Sequence, residues 1–173
     1  MVITVFVALA GCGSPEADSG GAGGGPAASG PATGGRSSAA PPAAFDVTRL
    51  CSLLEKSEIE SEFGKYGKVT GGQFDAGRSS CDWQIGRQIL QLRAPAPVEN
   101  PRERLVSQRD DLAKKKDYKI VDVEGLGEYA YAILWNGTTQ LVVLTKGVVF
   151  YLYTFLSATD ELVNLAGHAV KRI

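Results

Sequence analysis

Residues 129–155, YAYAILWNGTTQLVVLTKGVVFYLYTF, decide the fold. Their side-chain pattern repeats with a period of two, which is typical of strands. Two dipeptides interrupt the repeat, Asn136-Gly137 and Lys146-Gly147, and Asn-Gly is a strong hairpin signal because both residues tolerate a positive φ. The same period extends back to Tyr118 across a further interruption at residues 125–127. The whole region therefore predicts an antiparallel meander.

The Asn136-Gly137 turn fixes how its two flanking strands pair. Counting outward pairs Trp135 with Thr138, Ile133 with Gln140 and Tyr131 with Val142. This register sorts the meander into two faces, because successive side chains of a strand point to opposite sides of the sheet. One face collects small and aliphatic groups that suit packing under helices: Ala130, Ala132, Leu134, Leu141, Val143, Phe150 and Leu152. The other collects amphipathic rings and aliphatic groups: Tyr129, Tyr131, Ile133, Trp135, Val142, Val149, Tyr151, Tyr153 and Phe155.

The ring-bearing face is the best functional lead in the sequence. Tyrosine and tryptophan combine a large apolar area with a polar tip, which suits a recognition surface or a ligand groove. The alternative is a second core layer that another part of the chain covers, with the hydroxyls reaching solvent at its edge. The candidate binding face consists of Tyr129, Tyr131, Trp135, Tyr151 and Tyr153.

The segments that surround the meander predict a second hairpin and several helices. Gly86-Arg87 suits a type II′ turn between strands 81–85 and 88–93, which pairs Cys81 with Leu92 and Trp83 with Leu90. Helix signals occur in four places. An apolar stripe runs from Asp46 to Leu54, and a capping box at Ser57–Glu60 starts a short helix that contains Ile59 and Phe63 and stops at Gly64. Asn100-Pro101 starts a helix to about Lys116, and the last helix begins at Ser157 or Thr159 and carries a stripe of Leu162, Leu165, Ala166, Ala169 and Ile173. We expect an α+β fold in which about three helices pack on an antiparallel sheet.

Cysteine usage fits an exported chain. The sequence has three cysteines, and assigning Cys12 to a lipid anchor leaves the pair Cys51 and Cys81. The patterns of the first helix and of the 81–85 strand point both residues towards one core, so we expect a disulfide there. It would close a loop of about 30 residues and stabilise the domain by roughly 3–4 kcal/mol. A reactive thiol pair is the alternative, but neither context suggests an exposed thiol of lowered pKa.

The first 44 residues read as an export and anchoring region. Residues 1–11, MVITVFVALAG, are an apolar run too short to cross a bilayer but long enough for the core of a signal peptide. Leu9-Ala10-Gly11-Cys12 resembles the lipobox of bacterial lipoproteins, which implies that Cys12 is acylated and becomes the mature N-terminus. Since no basic residue precedes the apolar run, we expect the true start to lie upstream. A buried N-terminal strand with an ordinary Cys12 is the alternative.

Residues 12–44 predict a tether, with a globular domain over 45–173. Gly, Ala, Pro and Ser supply 28 of the 32 residues from 13 to 44, and such a composition cannot form a core. A flexible chain of this length has a root-mean-square span of roughly 30 Å. The remaining 129 residues carry 17 positive and 17 negative charges, a balance that argues against nucleic acid as a partner.

The sequence gives no positive support for an enzyme, a metal site or a cofactor. Gly125-Leu126-Gly127-Glu128-Tyr129-Ala130 matches a dinucleotide-binding pattern, but that pattern needs a helix after it, and here a strand pattern follows. We read those glycines as a turn or bulge. His168 shares the polar side of the last helix with Glu161, Asn164 and Lys171, so a solvated surface role is favoured over that of a general base.

Several short motifs occur together in this chain: the lipobox, the low-complexity spacer, Cys51-Ser52-Leu53-Leu54 followed by Glu58 and Gly64, Cys81-Asp82-Trp83, and the glycine turn at 125–128. In these motifs the chain resembles a family of secreted actinobacterial lipoproteins of unknown function. The resemblance implies a domain held by lipid on the outer face of the cell membrane. We expect a binding module for an envelope component, a small apolar ligand or a partner protein, with a structural or adaptor role as the alternative and an enzyme as the least favoured.

Overall fold

One antiparallel sheet of seven strands organises the part of the chain that the structure describes. The computed structural model describes residues 45–173. The predicted signal peptide at 1–11, the lipidation site Cys12 and the spacer at 12–44 lie outside the described residues. The strands are β1 (Val69–Asp75), β2 (Ser80–Ile85), β3 (Gln88–Arg93), β4 (Lys119–Asp122), β5 (Tyr129–Trp135), β6 (Thr138–Thr145) and β7 (Val148–Thr154), and their spatial order is β1-β2-β3-β7-β6-β5-β4.

Three α-helices and two short 3-10 segments pack on this sheet. They are the 3-10 segment Val47–Leu53, α1 (Lys56–Phe63), the 3-10 segment Gly64–Tyr66, α2 (Pro101–Ala113) and α3 (Thr159–Arg172). The predicted α+β class is therefore confirmed, together with the hairpin, the meander and the three helices.

The predicted hairpin registers are also confirmed. Across the β5–β6 turn, Trp135 pairs with Thr138 and Tyr131 pairs with Val142. Asn136 and Gly137 have φ values of 47° and 77°, the left-handed pair that a two-residue turn with matching strand twist requires. The β2–β3 hairpin pairs Cys81 with Leu92 and Trp83 with Leu90, as expected. In both hairpins a local turn signal was enough to set the pairing.

The first two helix predictions were wrong in detail. The Asp46 carboxylate accepts from the backbone of Thr48, and the stripe that follows forms a 3-10 segment rather than an α-helix. The expected capping box at Ser57 is wrong: the Glu58 carboxylate accepts from the backbone N–H of Glu55, so α1 begins at Lys56 and Ser57 lies inside it. Glu58 is favoured at this position because it also faces α3.

Helix α2 is shorter than predicted, and its expected N-cap residue makes no capping hydrogen bond. It ends at Ala113 rather than near Lys116, and Asn100 adopts a left-handed conformation with φ of 49° and makes no side-chain capping bond. Pro101 still occupies the first turn, where its missing N–H costs nothing. The proline signal alone therefore placed the start of this helix.

The main core lies between one face of the sheet and the layer formed by α1, α3 and the first 3-10 segment. Cys51 in that segment and Cys81 in β2 form the predicted disulfide, which ties the segment to the sheet. The sheet contributes the aliphatic face expected from the register, with Leu134 only partly buried. The fully buried side chains that fill this core include Leu50, Ile59, Phe63, Leu90, Leu92, Leu141, Phe150, Leu152, Leu162 and Leu165.

The strand β1 was not assigned from the sequence, and its backbone explains why. It contains Gly71 and Gly72, both with positive φ, and the pairing with β2 shifts by one residue at this point. A Cβ atom on Gly72 would lie 2.9 Å from Nε1 of Trp83, so the bulge makes room for the indole. A strand that bends around a neighbouring ring loses the alternation by which strands are recognised.

The turn at 125–127 gives the first testable prediction. Gly125 and Gly127 both have positive φ, 73° and 65°, but they differ in their surroundings. A Cβ on Gly127 would lie 2.5 Å from the carbonyl oxygen of Leu144, the oxygen that accepts from the backbone N–H of Glu128, whereas a Cβ on Gly125 would meet nothing within 4 Å. We expect Gly125→Ala to cost about 1–2 kcal/mol of unfolding free energy and Gly127→Ala about 1–3 kcal/mol more.

Urea unfolding followed by circular dichroism measures both variants. Gly125→Ala is the matched control, since it carries the same backbone strain without the collision. If both variants lose the same unfolding free energy, the close approach of Gly127 to Leu144 does not affect stability.

Candidate functional site

The second face of the sheet is covered over only one half. Helix α2 packs Leu105, with the partly buried Leu112, against β4 to β7. The buried side chains beneath it form a second, smaller core, made of Leu105, Tyr131, Ile133, Val142, Leu144 and Val149. Over β1 to β3 the same face presents the polar or exposed side chains Gln73, Asp82, Gln84, Ile89, Gln91 and Arg93. The second face of the sheet is thus a core over most of β4 to β7 and an accessible surface over β1 to β3.

Tyr131 belongs to the core half. Its side chain has 0% exposure, its hydroxyl has no hydrogen-bond partner within residues 45–173, and burial raises its pKa well above the usual range. Tyr129 packs on it with ring centroids 5.7 Å apart, and the Arg102 guanidinium lies 5.8 Å from the Tyr129 ring. For Tyr131, the second-core alternative that the sequence left open therefore describes the structure.

Two of the other predicted rings, Tyr151 and Tyr153, line an open groove between α2 and the sheet, whereas Tyr129 and Trp135 are not part of its lining. Its main part has a volume of about 480 Å³. It continues into a recess of about 280 Å³ that includes Arg104, and the two parts share Pro95, Gln108 and Tyr151. We call this feature the α2 groove and define it by the side chains Gln91, Arg93, Arg104, Gln108, Gln140, Tyr151 and Tyr153.

Strand pairing sets the positions of the side chains on the groove floor. Tyr153 in β7 lies between Gln91 of β3 and Gln140 of β6, its two register partners. Tyr151 lies directly opposite Arg93. Gln91 donates a 2.9 Å hydrogen bond to the Asp82 carboxylate, which fixes the orientation of its amide. The floor therefore alternates phenol rings with groups that form hydrogen bonds.

The electrostatic environment of Tyr151 reflects two nearby guanidinium groups. Partial burial raises the pKa of the phenol, while the positive charges of Arg93 and Arg104 act to lower it. No Asp or Glu side chain is among those that line the groove. The groove therefore carries two positive charges, three amides and two phenols.

A row of aromatic rings leads out of the groove towards the β5–β6 turn. Ring centroids are 5.8 Å apart for Tyr118 and Trp135, 6.0 Å for Trp135 and Tyr153, and 4.9 Å for Tyr153 and Phe155, the last in an edge-on arrangement. Phe155 is 52% exposed. We call these four residues the aromatic strip.

The sequence predicts the aromatic part of this candidate site but not its polar part. Trp135, Tyr151 and Tyr153 were predicted as part of the binding face, and the structure brings them together. The polar side was missed, because Gln91 and Arg93 reach the groove only through the pairing of β3 with β7, and Arg104 and Gln108 only through the position of α2. The alternation of polar Gln91 and Arg93 with buried Leu90 and Leu92 was the available signal that this strand has one accessible face.

The remaining sequence candidates lie away from the groove. The glycines at 125 and 127 form a turn that leads into β5, so the strand–turn–helix context of dinucleotide binding is missing there. His168 is 41% exposed, on the other side of the sheet, with Nδ1 2.8 Å from the Glu58 carboxylate. Arg172 donates to the same carboxylate at 2.6 and 2.7 Å and to the Leu53 carbonyl at 2.8 Å. This cluster joins α3 to α1 and to the first 3-10 segment.

Comparison of the chain with protein-family models, with curated proteins and with solved structures finds no match. The geometry of the site itself therefore has to indicate the function. Over residues 45–173, no helix combines the length and the apolar character needed to cross a bilayer. In the same residues, no three His, Cys, Asp or Glu side chains come together as a metal site.

The buried hydroxyl of Tyr131 leads to a prediction about stability. Because the hydroxyl is desolvated without a partner in the described domain, Tyr131→Phe should leave the unfolding free energy unchanged or raise it by up to about 1 kcal/mol. Tyr131→Ala should lower it by about 3–5 kcal/mol through loss of the ring. Thermal and urea unfolding compare the two variants. A loss of more than 1 kcal/mol in Tyr131→Phe would mean that the hydroxyl has a partner after all.

The Glu58 cluster leads to a prediction about pH. Hydrogen bonds from Arg172, and one from the backbone of Glu55, hold the pKa of Glu58 below its ordinary value. A carboxylate whose pKa is lower in the folded state stabilises the protein fully above its unfolded pKa of about 4.3, and this stabilisation disappears as the pH falls through the folded pKa. We expect Glu58→Gln to cost about 1.5–3 kcal/mol at pH 7 and progressively less below pH about 4.

Glu60→Gln is the control for this measurement. Glu60 pairs with Lys56 at 3.3 Å on the exposed side of the same helix, so its loss should cost under about 0.5 kcal/mol at any pH. A Glu58→Gln penalty that stays constant down to pH 2.5 would contradict the assigned ionisation.

Proposed function

We propose that this protein is a binding module, held by lipid on the outer face of a cell membrane, that recognises a component of the cell envelope through the α2 groove and the adjoining aromatic strip. The lipobox resemblance at Cys12 supports the location, and the predicted spacer would give the domain reach into the surrounding envelope. One observation carries the binding role: α2 covers half of the ring-bearing face and leaves Tyr151 and Tyr153 as the floor of an open groove.

The shape of the site favours a ligand over a flat protein contact. Ligand sites are usually concave and combine apolar surface with a few polar groups, whereas protein interfaces are flatter and larger. The α2 groove is concave and surrounds its two phenol rings with amides and guanidinium groups. A ligand with both flat apolar faces and hydrogen-bonding groups fits this lining better than a purely apolar molecule. We propose no enzymatic activity.

A copurification experiment tests the proposal. The full chain is purified in mild detergent from the membranes of cells that export and acylate it, and bound molecules are extracted and identified by mass spectrometry. We expect wild type to carry an envelope molecule that Tyr153→Ala loses, since Tyr153 contributes to both the groove and the strip. The same preparations test the anchor, because Cys12→Ser should move the chain from the membrane to the medium.

Tyr66→Ala is the matched control. Tyr66 is also an exposed tyrosine, but it lies beside α1 and hydrogen bonds to Glu161, away from the groove. If Tyr153→Ala fails to fold by circular dichroism, Gln140→Ala replaces it, because Gln140 is partly exposed and makes no side-chain hydrogen bond in the described domain. Equal retention of ligand in the control and groove variants, or no ligand in wild type, would favour the structural or adaptor role instead.

A further inference from the structure

The charges on the α2 groove narrow the class of ligand. Arg93 enters from β3 and Arg104 from the first turns of α2, so their guanidinium groups reach Tyr151 from two sides. Neither forms an ion pair within residues 45–173, and since the same is true of Arg87 outside the groove, what distinguishes Arg93 and Arg104 is that both lie beside Tyr151. Two arginines that face one pocket without a carboxylate are suited to an anionic group, which they can bind through charge-assisted hydrogen bonds.

The amides around Tyr153 indicate what the anionic group is attached to. Gln91 and Gln140 flank the ring in the sheet, and Gln108 lines the same groove from α2. Each carboxamide both donates and accepts, which matches hydroxyl groups, since a hydroxyl also does both. The phenol between them offers a flat apolar face for the C–H surface of a sugar ring, and Trp135 and Phe155 extend that surface along the strip.

A proline-rich peptide is the competing ligand for an aromatic groove. Such a peptide offers mainly carbonyl acceptors, because proline lacks the backbone N–H. It would itself offer few donors to the amide oxygens of Gln91, Gln108 and Gln140. The groove lining therefore favours a polyhydroxylated ligand.

We propose that the α2 groove binds an acidic saccharide, with sugar rings stacked on Tyr153 and the aromatic strip and a carboxylate or phosphate substituent held by Arg93 and Arg104 beside Tyr151. This inference rests on the proposed binding function and specifies its ligand. The two acidic substituents share one recognition chemistry, an oxyanion facing paired guanidinium groups.

Isothermal titration of the full chain with defined probes tests the proposal. The probes are glucuronic acid, glucose 6-phosphate and glucose, which share a single sugar ring and so separate carboxylate from phosphate and charge from ring stacking. We expect at least one acidic probe to bind tenfold or more tightly than the neutral one and to weaken as salt rises, because screening reduces the charge contribution. The stronger acidic probe identifies the natural substituent.

Charge-removing variants identify the residues. Arg93→Gln and Arg104→Gln should each lower the affinity for the acidic probe by about 5–20-fold and change that for the neutral probe less than twofold. Tyr153→Phe should keep the affinity for both probes within about threefold, whereas Tyr153→Ala should weaken both at least tenfold. Arg87→Gln is the matched control: Arg87 is an exposed arginine in the β2–β3 turn, outside the groove, and its loss should have no effect.

The outcomes separate this inference from the broader proposal. Any of three results would overturn the acidic-saccharide inference. The first is equal binding of acidic and neutral probes, and the second is that Arg93→Gln and Arg104→Gln have no more effect than Arg87→Gln. The third is that an acidic proline-rich peptide binds in preference to every saccharide. If the copurified molecule is a neutral or non-saccharide compound that Tyr153→Ala releases, the binding function holds and this inference fails. If no molecule copurifies and no probe binds, both fail.

Discussion

The pairing of β3 with β7 is the constraint on which the rest of the domain depends. These strands come from opposite halves of the described chain, and four residue pairs, from Leu90–Thr154 to Arg93–Tyr151, join them. Without this pairing the chain would form a three-stranded sheet and a four-stranded sheet, each with two exposed edges. With it, the aliphatic faces of both parts form one surface beneath α1 and α3, and a single core becomes possible. The same four pairs place Gln91 and Arg93 beside Tyr153 and Tyr151.

The α2 groove exists because α2 is too weakly amphipathic to cover the whole second face. Leu105 is its one buried residue, and Leu112 is only partly buried. Such a helix can shield the aliphatic groups and Tyr131 over β4 to β7, but it does not cover β3, and its other large apolar side chain, Val106, is exposed. The connection from β3 into α2 carries the chain onto this face, so the helix lies next to the polar strand without covering it. A groove with rings on its floor and charges on its walls follows from that arrangement.

The parts of the structure that depend on local signals could be predicted, and the parts that depend on distant pairing could not. The turns at Asn136-Gly137 and Gly86-Arg87 fix the registers of their hairpins. The residues that permit the special backbone conformation of each turn lie in the turn itself, so a local pattern is enough to predict it. The start of α1 was misplaced because Glu58 was expected to be an ordinary helix residue, whereas its contact with Arg172 favours its capping role. The strand β1 bends around Trp83, so its pattern follows a neighbour rather than its own period. For the site, the meander supplied the tyrosines, but nothing near them in sequence indicates Arg93 or Arg104.

The interactions that stabilise the domain are divided unevenly between the two faces of the sheet. The disulfide between Cys51 and Cys81, the Glu58–Arg172 contact and the larger core all lie on the side of α1 and α3. The side of α2 has a core of six buried residues, one of which holds a hydroxyl without a partner in the described domain. Arg93 and Arg104 are both exposed, so holding their positive charges beside the groove adds little to the cost of folding. In the proposed function, an anion supplies the charged partner that these two guanidinium groups lack within residues 45–173.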